Sequence, residues 1–470
     1  ALQLVEARGE NAEKLIFLHT GLYILETTMA INSDIQIIGA SADPDIASRV
    51  IIEGRLTTTV TLAKGSQDAY LGWMTVRFAP DSGAIAAAIA AGNPPVRAHH
   101  FALQIRDDST ALVEQCVIRS SAATGAAVCV NGSAANPKIR HCVVCDCESG
   151  GIYVMDAAQG QFEDCEIARN TQAGVVVSNH ANPFFRQCHI HDGRDVGIFA
   201  FDHGMGYFES CNIHNNRFSG IRVRDAANPT VTRCEIHHGK SYGIHVHNEG
   251  RGQFMENRIH SNTFVGIEIK SHSDPTITRN KIRGNKEGGI AVIDNGQGVL
   301  EDNEIFDNAM AGVRIETDGN PTLRRNKIHN GRDEGIYISD KGCGVLEDND
   351  IFHNRFGGLF LATGAKPTLR DNTIYDNDDL VEKTIAPFES RFSDKYAIQA
   401  VVGRGALGVV FKAQHELDER LYAIKRVYVA DTEQSRNKVL REVHSLAKLD
   451  HPHIVRYYDA WMEKPPPGEK

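Results

Sequence analysis

The sequence predicts a mainly β protein: a right-handed parallel β-helix of 23-residue coils, followed by a small antiparallel sheet with one helix. Two unbroken 23-residue columns predict the β-helix, because a fixed period of this size is typical of solenoids. One column is Cys or Asn: Cys142, Cys165, Cys188, Cys211, Cys234, Asn257, Asn280, Asn303, Asn326, Asn349 and Asn372. The other is Gly: Gly151, Gly174, Gly197, Gly220, Gly243, Gly266, Gly289, Gly312, Gly335 and Gly358. A third observation, the end of the period after Asn377, predicts the change of fold.

Bulk properties limit the classes of function. A chain of 470 residues favours two or more domains, and its net charge of −10 argues against a nucleic-acid interface. No apolar run is long enough for a transmembrane helix. Side chains in one parallel column point the same way, which disfavours disulfides, so the ten cysteines are interpreted as thiols. A reduced protein is expected in the cytoplasm or nucleus.

Each repeat contains short strands with alternating apolar residues. An apolar column lies three residues before the Cys/Asn column, as at Phe162, and another lies two residues after it, as at Ile236. The Gly column opens G-I-x-V strands. Between 136 and 377 no segment has the length or period of a helix, so we expect strand-only coils that each add about 4.8 Å.

Finer patterns support coil-on-coil stacking. A Pro coil and a Gly coil alternate, so that each residue type recurs every 46 residues. Arg and Glu alternate in the same way two residues before the Cys/Asn column, as in Arg140 and Glu163. Stacking would then place each Arg between carboxylates. The Asn column is expected to form an amide ladder along the axis.

Residues 1–135 are interpreted as irregular capping coils of the same solenoid, which as a whole covers 1–377. The amphipathic start Ala1–Arg8 suits a cap over the first coil. Segments 15–18, 35–38, 50–52 and 60–62 are expected to be strands.

The phrases N-P-x-I-x-x-C and G-I-x-V resemble the CASH-type β-helix of F-box only protein 11 relatives and of carbohydrate-active enzymes with a pectin lyase-like fold. This resemblance covers roughly residues 1–377. It is strong evidence for the fold but weak evidence for the function, because lyases, hydrolases and binding domains all share this fold.

Three features of the coils were candidates for chemistry. Asp202 and Asp225, with His203, could form a paired-acid site, but their column contains only Asp, Asn, Ser and Thr, which is typical of capped turns. A His column (His191, His214, His237, His260 and His329) is expected to face solvent. The C-x-x-C-x-C segment at Cys142 lacks a second ligand pair, so no metal site is predicted. The regular surface favours recognition of a protein partner, without nucleic acid or membrane.

A linker or end-cap is expected at 378–394 and a second domain at 395–470. There an apolar strand leads into G-x-G-x-x-G-x-V and out into another strand; the segment is Val402, Gly403, Arg404, Gly405, Ala406, Leu407, Gly408, Val409 and Val410. Glycines of this kind let backbone amides approach phosphates. Tyr422-Ala-Ile-Lys425 follows, and Glu442 lies in a helical pattern from Lys438 to Leu449.

This order of motifs resembles the N-lobe of protein kinases, and His451 to Trp461 is most similar to the initiation-factor-2-alpha kinases. The resemblance implies that residues 402–410 enclose ATP phosphates and adenine. It implies that Lys425, paired with Glu442, grips the α- and β-phosphates, and that ATP is used with magnesium.

The sequence contains no H-R-D-x-x-x-x-N, D-F-G or A-P-E segment, and the resemblance stops before the β5 strand of the kinase fold. The interpretation is a truncated N-lobe without magnesium ligands, inactive by itself. Three hypotheses follow: a Ser/Thr kinase behind a β-helix recognition domain, a substrate-recognition subunit of a ubiquitin ligase, or a β-helix polysaccharide-processing enzyme.

Overall fold

Short parallel strands wind into three sheets of 15, 15 and 14 strands in the computed structural model. The structure describes residues 14–40, 45–90, 100–378, 396–405, 408–415 and 420–426. The chain divides into two units, Ala1–Val381 and Glu382–Lys470, which are described separately. The predicted fold class is confirmed, whereas the predicted domain limits remain predictions.

Every described coil of the first unit contributes one strand to each sheet, except the last, which contributes only to sheets A and B. Sheet A contains Leu15–Leu18, Gln36–Gly39, Tyr70–Gly72, Leu112–Glu114, Lys138–Arg140, Gln161–Glu163, Phe184–Arg186, Tyr207–Glu209, Thr230–Thr232, Gln253–Met255, Thr276–Thr278, Val299–Glu301, Thr322–Arg324, Val345–Glu347 and Thr368–Arg370. Sheet B contains Gly21–Leu25, Val50–Gly54, Thr75–Phe78, Val117–Ser120, Val143–Cys145, Glu166–Ala168, His189–His191, Asn212–His214, Glu235–His237, Arg258–His260, Lys281–Arg283, Glu304–Phe306, Lys327–His329, Asp350–Phe352 and Thr373–Tyr375.

Sheet C has one strand fewer. It contains Met29–Ile31, Val60–Leu62, Leu103–Arg106, Ala126–Asn131, Gly150–Met155, Val175–Val177, Ile198–Ala200, Ile221–Val223, Ile244–Val246, Ile267–Ile269, Ile290–Val292, Val313–Ile315, Ile336–Ile338 and Leu359–Leu361.

The two predicted apolar columns form the core. Ile236 pairs in register with Ile213 and Ile259, and all three are 0% exposed. The rings of Phe162 and Phe185, from the other column, stack 4.2 Å apart. Because side chains alternate along a strand, a constant 23-residue register keeps each apolar column inside for the length of the stack.

The Asn column is the predicted amide ladder. The side chain of Asn303 accepts hydrogen bonds from the backbone and side-chain nitrogens of Asn280, at 2.9 and 3.0 Å, and donates to the Ile277 carbonyl at 2.8 Å. In the Cys part of this column, the Cys165 thiol donates to the Ile139 carbonyl at 3.4 Å. All ten cysteines are free, and nine are buried.

The alternation of Pro and Gly has a steric cause. Gly344 has φ +118°, a conformation that L side chains rarely adopt, and a Cβ there would lie 2.4 Å from the Pro321 carbonyl oxygen of the coil below. Gly298 repeats this arrangement over Pro275. A coil stacked on a Pro-containing coil therefore requires Gly at the position that lies over the Pro carbonyl.

The Arg and Glu column also stacks as predicted. Glu163 lies between Arg140 and Arg186, at 2.9 and 2.7 Å, and Arg324 lies between Glu301 and Glu347, at 3.8 and 3.1 Å. The arginines of these pairs are exposed and the glutamates are half-buried, so each pair contributes about 0–1 kcal/mol.

Residues 14–135 belong to the same solenoid, with strands at or within a residue or two of the four predicted segments. Two helices were not predicted: α1, Ile46–Arg49, and α2, Ser82–Ala90. The second follows a sheet B strand and is rich in Ala, the strongest helix former. The predicted cap, Ala1–Arg8, and the linker from residue 379 onward lie outside the described residues.

The second unit contains one antiparallel sheet of three strands, Tyr396–Gly405, Gly408–His415 and Leu421–Arg426, in that order. Among the described residues of both units, no helix has the length and hydrophobicity required to cross a bilayer.

Candidate functional site

The glycine motif lies at the tip of a β-hairpin, as its sequence predicts. Gly405 pairs with Gly408 at the end of the ladder, and Gly403 pairs with Val410. The ladder shifts register between Val401 and Gly403. Among the described residues, a Cβ added at Gly403 would meet no atom within 4 Å. Such a position lets the backbone amide meet a ligand directly.

Lys425 lies in the same row of the sheet as this glycine. Val410 pairs with Gly403 on one side and with Lys425 on the other. Two strand spacings, about 9.6 Å, therefore separate the backbone of Gly403 from that of Lys425. Directly opposed residues share a face, so the exposed Lys425 side chain projects on the face that carries Val410.

Other predicted residues of this site are only partly described. Val402 is 64% exposed. The backbone of Arg404 and Val409 continues the ladder, where these two residues pair. Ala406, Leu407, Glu442 and the predicted helix Lys438–Leu449 lie outside the described residues, so the Lys425–Glu442 pair remains a prediction.

The Asp202 and Asp225 column forms turns. Both residues have positive φ, 48° and 51°, and so does His203, at 59°. Asp and Asn adopt this left-handed conformation more readily than other non-glycine residues, which explains the composition of the column. Both carboxylates are exposed, and Asp225 pairs with Arg224 at 3.2 Å. This arrangement favours a turn role over a paired-acid site.

The histidine column does not face solvent as expected. The rings of His191, His214, His237 and His260 stack at 4.7–5.1 Å, and the side chains of His191 and His260 are only 15% and 11% exposed. Each ring is covered by the ring of the next coil, because coil spacing is close to stacking distance. Burial, with the neighbouring His260 and His214, lowers the pKa of His237 to about 4. Burial also lowers the pKa of His214 and His260, so the middle of the column favours neutral rings.

The C-x-x-C-x-C corner is closed. Cys142 and Cys147 donate to the Arg140 and Cys145 carbonyls, at 3.2 and 3.4 Å. Burial raises the pKa of Cys147 to about 12 and that of Cys145 to about 11. These thiols keep their protons, whereas metal ligation requires thiolates. Within the described ranges no group of three metal-ligating side chains comes together.

The sequence reasoning missed a polar cluster on the outer face of sheet C. Glu268 is 4% exposed and lies 3.1 Å from His245 and 3.5 Å from Lys270. Burial opposes ionisation of Glu268, but the nearby His245 and Lys270 hold its pKa below the usual range. Burial and the nearby Glu268 raise the pKa of Tyr242 to about 12. The sequence does contain a signal for this cluster: the variable position x of G-I-x-V is Arg222, His245 and Glu268 in successive coils, which brings opposite charges together.

Comparisons with known proteins match both units. Residues 93–205, 174–313 and 266–398 match the family described as right handed beta helix region, and together these ranges cover more than half of the chain. Residues 396–466 match the protein kinase domain.

The sequence relatives divide in the same way. The F-box protein dre-1 of Caenorhabditis elegans is 50% identical over 167 residues, which are 35% of this chain and 18% of that protein. The eukaryotic translation initiation factor 2-alpha kinase pek-1 of the same organism is 46% identical over 92 residues, 20% of this chain and 8% of that kinase. Initiation factor 2-alpha kinase 3 of Rattus norvegicus is 48% identical over 79 residues, 17% of this chain and 7% of the kinase. The chain thus spans less than a fifth of each relative.

Among solved structures, the A-module of the mannuronan C-5 epimerase AlgE6 of Azotobacter vinelandii has a TM-score of 0.51. It is 13% identical and covers 83% of this chain and 94% of its own, a likeness that shows the fold alone. The resemblances seen in the sequence are confirmed: the chain belongs to the right-handed β-helix family and carries behind its β-helix a partial protein kinase domain similar to those of initiation factor 2-alpha kinases.

Proposed function

We propose that this chain joins a β-helix that recognises a protein partner to the nucleotide-binding part of a serine/threonine protein kinase. The row Gly403–Val410–Lys425 carries the nucleotide half of this proposal. It combines the glycine backbone of the first strand with a lysine two strands away. Backbone amides and a single ammonium group suit the phosphates of ATP.

The residues take the roles that the kinase similarity implies. Gly403, Gly405 and Gly408 approach the phosphates, and Val402 and Val410 flank the adenine. Lys425, with Glu442, orients the α- and β-phosphates. Bound ATP would supply the phosphoryl group that a kinase transfers to a protein hydroxyl. No magnesium role is assigned, because the sequence contains no H-R-D-x-x-x-x-N or D-F-G segment.

Titration of the 470-residue protein with the fluorescent nucleotide mant-ATP tests this half. We expect weak saturable binding that Lys425→Met weakens at least tenfold, because the phosphates lose their cation. Lys412→Met is the matched control, since Lys412 is also exposed and lies two residues from Val410 along the second strand. Equal affinity of the Lys425→Met variant and the wild type, or no saturation at millimolar nucleotide, would contradict the proposal.

The recognition half is supported by the 50% identity, over 167 residues, to an F-box protein. The same identity favours a second candidate function, substrate recognition for a ubiquitin ligase. Photo-crosslinking residues placed singly on the outer faces of sheets A, B and C, in cells, test recognition itself. We expect one protein adduct confined to neighbouring positions. Adducts spread evenly over all faces, or none, would contradict a recognition surface.

The two candidate functions differ in whether modification of the captured protein depends on Lys425. A kinase with a β-helix recognition domain modifies the captured protein and loses that modification in Lys425→Met. A substrate receptor promotes ubiquitination of the captured protein, and Lys425→Met has no effect on it.

A further inference from the structure

Two adjacent columns on the turns that precede sheet C form an exposed strip, here called the turn ridge. One column is mostly basic, with exposed side chains at Arg194, Arg217, Lys240, Lys286, Arg332 and Arg355. The next column carries large apolar residues at every second coil, and all four are 37–48% exposed: Phe218, Phe264, Met310 and Phe356. Large apolar side chains repeated along one exposed line mark an interaction surface.

The cations of the turn ridge differ from those elsewhere on the solenoid. Arg140 and Arg324 in sheet A pair with stacked glutamates. In the described part of the chain, no carboxylate lies at ion-pair distance from any of the six turn-ridge cations. Arg217 and Arg355 instead lie over the rings of Phe218 and Phe356, at 5.9 and 5.4 Å. A chain with net charge −10 thus presents a row of cations that form no ion pair with the described residues, and this row is complementary to an acidic partner.

The spacing of the apolar residues selects the conformation of that partner. Phe218, Phe264, Met310 and Phe356 are 46 residues apart, or two coils, which corresponds to about 9.6 Å. A polyproline II segment advances about 9.3 Å in each three-residue turn. Side chains on one face of a β-strand repeat at about 6.7 Å, and one helical turn rises about 5.4 Å. An extended segment with an apolar residue at every third position therefore stays in step along the turn ridge.

We propose that the turn ridge docks an acidic, polyproline-II-like segment of a protein partner, with apolar side chains between the four exposed residues and carboxylates on the flanking cations. This inference rests on the recognition role proposed for the β-helix. Exposed aromatic residues beside cations are a recurring means of holding such segments.

Single-stranded nucleic acid also binds to aromatic residues flanked by cations. The composition of the turn ridge favours a peptide, because its apolar column contains half-buried carboxylates in the gaps, at Asp195, Glu287 and Asp333. These would repel a continuous phosphate backbone, whereas a peptide can place its neutral residues there.

Fluorescence anisotropy with defined probes tests the proposal on the 470-residue protein. The probe is fluorescein-labelled (Pro-Leu-Glu)4. Its charge control is (Pro-Leu-Gln)4, its spacing control is (Pro-Leu-Glu-Glu)3, and twelve-nucleotide oligouridine represents nucleic acid. We expect (Pro-Leu-Glu)4 to bind at least tenfold more tightly than each of the other three, and its affinity to fall with salt.

Substitutions taken from neighbouring coils keep the fold intact. Phe218→Ser with Phe264→Ser introduces the residue found at Ser241 in the same column, and Arg217→Thr with Lys240→Thr introduces the residue found at Thr263. We expect the first pair of substitutions to weaken binding of the (Pro-Leu-Glu)4 probe at least tenfold. The second pair should weaken it about fivefold and make the affinity less dependent on salt.

Matched controls come from sheet A and its turns. Val299→Thr removes an exposed apolar side chain whose neighbours in the column are Thr276 and Thr322. Arg279→Gln removes an exposed cation that pairs with Glu256 at 3.2 Å. Both controls should change the affinity less than twofold.

The outcomes separate the proposals. Binding unchanged by either pair, tighter binding of (Pro-Leu-Glu-Glu)3 or no binding of any peptide would overturn the docking of such a segment. Oligouridine binding that both pairs abolish would assign the turn ridge to nucleic acid. Crosslinks to one protein from other faces only would overturn this inference and leave partner recognition standing, whereas the absence of crosslinks would overturn both.

Discussion

Replacing Asn303 by Leu removes one rung of the amide ladder while nearly preserving its volume. The Asn303 side chain makes four hydrogen bonds: it accepts two from Asn280 and donates to the Ile277 carbonyl and the Asn326 side chain. The Asn280 side chain keeps two other acceptors, and Asn326 Oδ1 still receives the backbone N–H of residue 303. The Asn280 backbone N–H loses this partner, and the Ile277 carbonyl keeps only its ladder hydrogen bond with the next strand of sheet A.

A buried N–H without a partner costs about 1–3 kcal/mol and a lost second hydrogen bond to a carbonyl about 0.5–1.5 kcal/mol, so Asn303→Leu should lower the free energy of unfolding by about 1.5–4.5 kcal/mol. Asn303→Cys is the matched control, because Cys234 in the same column performs both tasks. Its sulfur accepts the Cys211 backbone N–H at 3.3 Å and donates to the Phe208 carbonyl at 3.5 Å. Since only weaker bonds replace stronger ones, Asn303→Cys should cost about 1–2 kcal/mol.

Urea unfolding and native-state hydrogen exchange measure the two variants. In Asn303→Leu the amide of Asn280 should lose protection by roughly tenfold to a thousandfold, since about 1.4 kcal/mol corresponds to a factor of ten. The protection of the Cys188 amide, four coils from Asn280, should be unaffected. Equal stability of the Leu and Cys variants, or uniform loss of protection along the solenoid, would refute the ladder as a local hydrogen-bonded support.

Three further predictions concern the core, the histidine stack and the hairpin. Ile236→Asp should destabilise the solenoid by several kcal/mol, because Ile236 is 0% exposed. Its control, Glu235→Lys, should cost about 1 kcal/mol. Comparable shifts in melting temperature for the two variants would contradict the assignment of Ile236 to the core. The folded pKa of His237, about 4, is lower than the unfolded value of about 6.5, so its contribution to stability is complete above pH about 6.5 and is lost as the pH falls toward 4. His237→Phe, which places a phenylalanine where Phe306 stands in the same column, should reduce the fall in melting temperature between pH 7 and pH 5; an unchanged fall would be contrary to this reasoning. The 470-residue chain should transfer no phosphate in a radiolabelled-ATP assay, because its sequence lacks the kinase base and magnesium-binding segments, and turnover that disappears in Lys425→Met would show this to be wrong.

The sequence was sufficient for the core of the solenoid and for the position of the glycine loop. A period of 23 residues fixes the register of every coil, and the two-residue alternation of strands then decides which columns lie inside. Ile236 and the Asn column were assigned to the interior on this basis. The hairpin at Gly403 and Gly408 follows equally locally, since both flanking strands are adjacent in sequence. The Lys425–Glu442 pair remains a prediction.

The outward columns needed the tertiary structure. Alternation alone places His214 and His237 outside, yet the ring of each neighbouring coil covers them and lowers the pKa of His237. The same holds for Glu268, which is outward in register but buried beside His245 and Lys270. Exposure of an outward residue depends on the side chains of the coils above and below and on the adjoining turns. The repeat determines which side of the sheet a residue occupies, and only the packed structure determines whether water reaches it there.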